Sequence, residues 1–256
     1  MPTPYADINS LLAELLTGMQ AILGTKLVAL YLYGSLVTGD FDHEVSDIDL
    51  LAATASDIDD NEFVALQTMH HDFAVRYREW DDRIEVAYLS VAALKTFRTQ
   101  VSKIAVISPG EPFHFKEAGK DWLMNWYVVR EKGVVLFGPS THELIEPITK
   151  DELRQAVREH AQAWREWVQR ARARKAQAYA ILTACRALYT LRNGDSVSKK
   201  RAAMWATQVL PAWSSLIQSA LVWRSTLHDE DVDHNATIPE TRRFVHVVAD
   251  LCENIP

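Results

Sequence analysis

Over the first 150 residues, apolar runs of strand length alternate with stretches whose apolar residues recur three and four positions apart. Leu11, Leu12, Leu15, Leu16, Met19, Ile22 and Leu23 keep helical spacing across residues 7–23, and Gly24 follows as a stop. Lys26 to Tyr33 reads as a buried strand that breaks at Gly34-Ser35, and Ser46 to Ala53 as a second strand. Gly39 and Asp40 between them suit a short helix or a turn and loop. Ser56-Asp57 is expected to cap a helix that runs to about His71. A third strand is expected from Arg83 to Leu89, where Ile84, Val86 and Tyr88 alternate with Glu85 and Ala87. Val91 to Leu94 can open a helix, and Ile104 to Ile107 is too short to assign. Proline and glycine are dense from Ser108 to Lys120, which predicts an irregular stretch. A helix over Asp121 to Lys132, stopped by Gly133, and a short strand Val134 to Phe137 complete this half.

Beyond Pro147 the periodicity is helical throughout. Helices are expected over about 150–175, 176–192, 199–209, 213–226 and 239–253, broken at Asn193-Gly194, Pro211 and the polar run His228 to Asn235. The pattern predicts an α+β protein: a mixed sheet with helices over residues 1–147, then an all-helical bundle over 148–256.

A chain of 256 residues is long enough for two modest domains. Its net charge of −7 is unevenly spread. Residues 1–100 hold 16 acidic against 6 basic side chains, and residues 101–256 hold 18 against 21. An acidic first half disfavours nucleic acid as a partner, and a mildly basic second half can hold phosphates. The start of the chain has neither a basic nor an apolar leader pattern, and no apolar run has the length of a membrane span. Cys185 and Cys252, far apart within helical patterns, form no disulfide framework and no zinc spacing. Together these features predict a cytoplasmic protein with buried thiols and no membrane partner.

The candidate chemistry lies between Leu27 and Leu51. Eleven residues after Gly34-Ser35 comes Asp47-Ile48-Asp49, whose two carboxylates would share one face of a strand while Ile48 and Leu50 enter the core. Adjacent carboxylates repel, and hard oxygen ligands on a rigid strand suit Mg²⁺ together with substrate phosphates. The Gly34-Ser35 turn adds backbone N–H groups and a hydroxyl suited to phosphate oxygens. Glu85 stands inside a strand pattern, either on a solvated edge or as a third carboxylate of the same site, ligating metal or accepting a proton. Other candidates read as structural or stay open. His70-His71 point in different directions and suit a solvated helix end. Phe113 and Phe115 either meet a substrate or pin their loop to the core. The acidic and histidine-containing run from His228 to His234 lacks calcium-loop spacing and reads as a solvated linker.

Strand, Gly34-Ser35 and Ser46-Asp47-Ile48-Asp49-Leu50-Leu51 resemble the signature of the nucleotidyltransferase superfamily, and the chain as a whole resembles the aminoglycoside adenylyltransferases that modify streptomycin and spectinomycin. The family's Glu-Val-Thr strand appears as Glu85-Val86-Ala87, and the strand and turn before its second domain as Leu136-Phe137-Gly138-Pro139. Leu182 to Tyr189 resembles a family helix whose arginine, here Arg186, meets the ATP phosphates. Ser198-Lys199 with Ala202-Ala203-Met204-Trp205 resembles the segment that supplies a lysine to the same triphosphate. The resemblance implies ATP as co-substrate, held between two domains, with Mg²⁺ on Asp47 and Asp49 and with Gly34, Ser35, Ser46, Arg186 and Lys199 around it. Glu85 would be the base for a hydroxyl of a small acceptor, a cationic amino sugar in the family. Trp167 falls where the family has a drug-contacting tryptophan, although Trp164 and Trp167 also suit a core; Arg172 falls where it has an aspartate. The competing implications are another metabolite or a protein as acceptor, or a non-catalytic, antitoxin-like partner protein.

Overall fold

The computed structural model describes residues 2–225 and 233–255; of the run His228 to Asn235 only the last three residues fall within that range, so the linker expected there lies largely outside the described residues. Two compact units divide the chain: residues 1–42 with 46–148, and residues 43–45 with 149–256.

The first unit is built on a six-stranded mixed sheet of β1 (Leu27–Tyr33), β2 (Ile48–Thr54), β3 (Ile84–Ser90), β4 (Ser102–Ser108), β5 (Glu111–Ala118) and β6 (Val134–Phe137), in the order β5-β4-β3-β2-β1-β6. Only β2 and β3 pair in parallel. A parallel pair needs a crossover, and α3 (Asp60–Arg76) supplies it. The other helices of this unit are α1 (Ala6–Leu23), α2 (Ser35–Thr38), α4 (Val91–Thr96), α5 (Leu123–Lys132) and α6 (Thr141–Leu144). Alternation along the strands divides the sheet's side chains between its two faces. Leu30, Leu32, Ile48, Leu50, Val86 and Tyr88 join Leu12, Leu15 and Met19 of α1 and Leu66 and Phe73 of α3 in one core. Each large aliphatic side chain so buried contributes about 1.5–3 kcal/mol. The intervening residues, Tyr33, Asp49 and Glu85 among them, are left for the opposite face.

Helix α3 begins later and ends later than the sequence pattern suggests. Its cap is Asp59, not Ser56-Asp57: the Asp59 carboxylate accepts the N–H groups of Asn61 and Glu62, both at 2.9 Å, and Glu62 accepts that of Asp59 at 2.9 Å. This reciprocal capping box outcompetes the earlier candidate. Lys26 reinforces it, donating to Glu62 at 2.5 Å and to the Asp57 carbonyl at 2.7 Å. At the far end, Arg76 and Tyr77 both hydrogen-bond to Glu14 of α1.

Because the helix runs to Arg76, His70 is not at a solvated end. It is 4 % exposed and shares a 2.8 Å hydrogen bond with the buried Tyr88 hydroxyl, with Phe113 beside it. Burial lowers its pKa from 6.5 to about 4. The folded state thus holds His70 neutral, while the unfolded chain takes up its proton near pH 6.5. This contribution to stability is complete above pH 6.5 and is lost as the pH falls towards 4, by roughly 3 kcal/mol at most. Urea titrations across that range should show a steeper fall for the parent than for His70→Gln.

The stretch from Ser108 to Lys120 is not irregular either. Pro109-Gly110 is a two-residue turn, with Gly110 at φ 79°, and β5 returns along β4. Proline and glycine are concentrated in that turn, and Pro112 is tolerated because β5 is an edge strand. Phe113 is buried in the core and Phe115 stacks on Phe63 of α3 at 4.4 Å, so both pin the hairpin.

In the second unit α7 (Lys150–Trp167), α8 (Arg174–Asn193), α9 (Lys199–Val209), α10 (Ser214–Ser225) and α11 (Ile238–Glu253) pack as a bundle around α8. Helix α7 ends at Trp167 rather than near residue 175. The chain then passes through tight turns in which Gln169, Arg170 and Ala171 each bond back three residues. The fully buried Gln177 holds the segment between α7 and α8: its amide donates to the Arg172 and His234 carbonyls at 2.8 Å and its oxygen accepts from Thr237 and Thr241. Cys185 and Cys252 are free and buried, and burial pushes both thiols up to about 12. Among the described residues no helix is long and apolar enough to cross a membrane.

Candidate active site

Strand register assembles the acidic cluster. Tyr33 at the end of β1 pairs with Asp49 on β2, and Asp49 pairs with Glu85 on β3. Directly paired residues point to the same face, so the three form one row across three strands. Asp47, two positions before Asp49, joins it from the strand entrance. Asp47, Asp49 and Glu85, all half-buried, each bring a carboxylate oxygen to within 4.8 Å of the others.

The approach to β2 is fixed by two residues that flank the cluster. The Ser46 hydroxyl accepts the Asp42 N–H at 3.0 Å while the Asp42 carbonyl accepts the Ser46 N–H at 2.8 Å, so this buried serine closes the preceding loop. Arg83, just before β3, donates to the Ser46 carbonyl from Nε at 3.1 Å and Nη2 at 2.5 Å, with its guanidinium 4.3 Å from the Trp80 ring centre. Arg83 thereby ties the entrances of β2 and β3 together immediately before Asp47. Partial burial lowers its pKa, and the neighbouring Asp47 opposes that shift.

Gly34 abuts the row directly. It adopts φ 75° and ψ −146°, and a Cβ placed there would come within 1.8 Å of the Asp49 carboxylate. Only glycine combines that backbone with that approach. Gly34→Ala should therefore cost at least about 1–3 kcal/mol from the backbone alone and displace Asp49; a thermal melt measures the first effect. Next to it the Ser35 hydroxyl is buried and has no hydrogen-bond partner.

Tyr33 escaped the sequence pattern, in which it is simply the last residue of an apolar run. Its ring is 7 % exposed, and its hydroxyl donates to Glu85 Oε1 at 3.2 Å. Burial, and after it the charges of Glu85, Asp49 and Asp47, hold that hydroxyl's pKa well above 10, so it remains a donor.

Residues 143–250 match the family model described as aminoglycoside adenylyltransferase, C-terminal domain. An aminoglycoside (3'')(9) adenylyltransferase of Escherichia coli is 26 % identical over 95 % of this chain and 94 % of its own length. One from Shigella flexneri, under the same name, is also 26 % identical, over 81 % of each chain. These relatives are enzymes by name, adenylyltransferases. The chain is thus similar to aminoglycoside adenylyltransferases along nearly its whole length. Its fold matches the crystal structure of spectinomycin adenyltransferase AAD(9) from Enterococcus faecialis, solved with ATP and spectinomycin, at a TM-score of 0.75 and 16 % identity over 93 % of this chain and 99 % of that one.

The acidic row has the donor set that a hard divalent cation takes: oxygen ligands from a rigid sheet, with the Asp49 carboxylate lying close against Gly34 and a buried unpartnered hydroxyl on Ser35 nearby. The helical unit holds the other residues that the sequence singled out. Arg186 is half-buried on α8, and its charge adds to the effect of burial in lowering the His160 pKa to about 4. His160 accepts from the Trp164 indole at 2.6 Å. Trp164 is buried, whereas Trp167 is 39 % exposed, their rings 4.4 Å apart. Tyr179, which the sequence pattern did not single out, joins them: its ring lies 6.0 Å from that of Trp167 and 3.7 Å from Lys199 Nζ. Trp167, Tyr179 and Lys199 thus form one ledge on the bundle. Arg172 lies in the turn after α7 with its side chain exposed.

Proposed function

We propose that this enzyme transfers AMP from ATP to a hydroxyl group of a small aminoglycoside-type acceptor. The observation that carries the reading is the row of Asp47, Asp49 and Glu85 on adjacent strands, with their carboxylate oxygens within 4.8 Å. Three carboxylates gathered at one point serve no evident packing purpose and suit phosphoryl chemistry. The similarity to aminoglycoside adenylyltransferases and the ATP and spectinomycin bound to the neighbouring fold support it.

Asp47 and Asp49 would hold Mg²⁺, with Glu85 in reach; when bound, the ion neutralises charge on the phosphates. Gly34 lets the turn lie close against Asp49, where its backbone would meet the triphosphate, and Ser35 offers it a hydroxyl. Ser46 contributes by holding the loop before Asp47. Arg186 and Lys199 neutralise phosphate charge as charge-assisted donors. Glu85 accepts the proton of the acceptor hydroxyl. The freed oxygen attacks the α-phosphorus in line, and the bond to the bridging oxygen breaks so that pyrophosphate leaves with its electron pair. Trp167 provides an exposed ring for the acceptor. The exposed Arg172, by contrast, favours an acceptor with no cationic group at that point.

Incubation with ATP, Mg²⁺ and a panel of aminoglycosides, read by mass spectrometry, should give an acceptor heavier by one AMP. An absence of adduct on every acceptor, together with no ATP binding in calorimetry, would move the protein to the partner-protein reading.

A further inference from the structure

We propose that Tyr33 is a positioning residue for nucleotidyl transfer, its hydroxyl fixing the Glu85 carboxylate in the orientation from which it takes the acceptor's proton. The inference rests on the reading of Glu85 as the base. Tyr33 and Glu85 are two strands apart, with Asp49 between them in the same row. At about 4.8 Å per strand that separation is about 9.6 Å, too far for a short side chain. The long rigid tyrosine crosses it, and its hydroxyl reaches Glu85 Oε1 at 3.2 Å. A carboxylate with two equivalent oxygens can rotate; a donor held on one of them leaves the other with a defined direction. The donor is itself immobile, because the Tyr33 ring is buried at the end of a central strand paired on both sides by β2 and β6. A phenol hydroxyl in such a place costs free energy unless it is hydrogen-bonded. Packing alone would be served as well by phenylalanine.

The test is a double-mutant cycle on the full chain, comparing the parent, Tyr33→Phe, Glu85→Gln and the double variant. Each is assayed for AMP transfer in single turnover, with the aminoglycoside that the panel identifies, and for ATP–Mg²⁺ binding by calorimetry without acceptor. Tyr33→Phe should lower kcat about tenfold, with ATP–Mg²⁺ affinity within about twofold of the parent and the metal-free melting temperature unchanged. With Glu85 already replaced, removing the hydroxyl should change the residual rate by less than about twofold, as expected for two groups acting as a unit. Equal loss in both backgrounds would mean that Tyr33 acts independently of Glu85 and would overturn the proposal, leaving the base assignment standing. So would a parental rate for Tyr33→Phe, or a fall in ATP–Mg²⁺ affinity that accounts for the whole loss. Full activity in Glu85→Gln itself, or no transfer to any acceptor by the parent, removes the base reading and this proposal with it.

Discussion

Asp47→Asn and Asp49→Asn should each lower AMP transfer by more than about 10³-fold while leaving the nucleotide-free protein as stable as the parent, or slightly more stable. The first expectation follows from the task of the two carboxylates. If they hold the ion that neutralises the phosphates, losing one removes several kcal/mol of transition-state charge stabilisation. The second follows from their proximity. With oxygens within 4.8 Å, the charges of the cluster repel by about a kcal/mol or more at an effective dielectric between water and protein. An amide in place of one carboxylate relieves that repulsion. The parent should gain thermal stability from ATP with Mg²⁺, and neither variant should. If instead the aspartates serve to brace the Gly34 turn, each substitution leaves a buried partner unsatisfied and destabilises the metal-free protein. A large drop in its melting temperature, with turnover retained, would end the catalytic assignment.

Glu85→Gln separates two roles that the geometry places on one residue. A glutamine keeps the size and can still accept from Tyr33, but it cannot take a proton. As the base, Glu85 should leave ATP–Mg²⁺ affinity near the parental value when replaced, while turnover falls by about 10²–10⁴-fold. As chiefly a metal ligand, it should lose nucleotide affinity together with turnover. Calorimetry with ATP and Mg²⁺ on the acceptor-free protein decides between them, and a collapse of affinity rejects the base assignment.

The acidic row was legible before the structure because strands announce themselves by alternation. Ile48 and Leu50 on one side of Asp49, and Val86 beside Glu85, mark both acids as facing away from the core. Pairing was not legible. Nothing in the order of residues says that Tyr33, Asp49 and Glu85 share a row, so Tyr33 passed for an ordinary core residue. Strand β5 was hidden for a related reason: a two-residue turn gathers Pro109 and Gly110 into a local density that looks like disorder of the pattern. His70 looks like a helix end in the sequence because the true end of α3 depends on contacts of Arg76 and Tyr77 with Glu14, 62 and 63 residues away in the chain. The capping box at Asp59 is readable from Asp59 and Glu62, three positions apart, although Ser56-Asp57 offers a competing cap just before it. The true end of α7 could not be read: Arg170 to Arg174 alternates alanine and arginine, good helix formers, and the turn there is held by Gln177 from the next helix.

The two buried cysteines have a practical consequence for spectroscopy. A thiol in an apolar interior with its pKa near 12 offers almost no thiolate to a maleimide at neutral pH. A single cysteine introduced on the surface would therefore carry a fluorophore alone, with the native residues left in place. Met204, 57 % exposed and five positions beyond Lys199 on the same helix, is a suitable site. A dye there would follow in real time whether nucleotide reaches the helical unit at all.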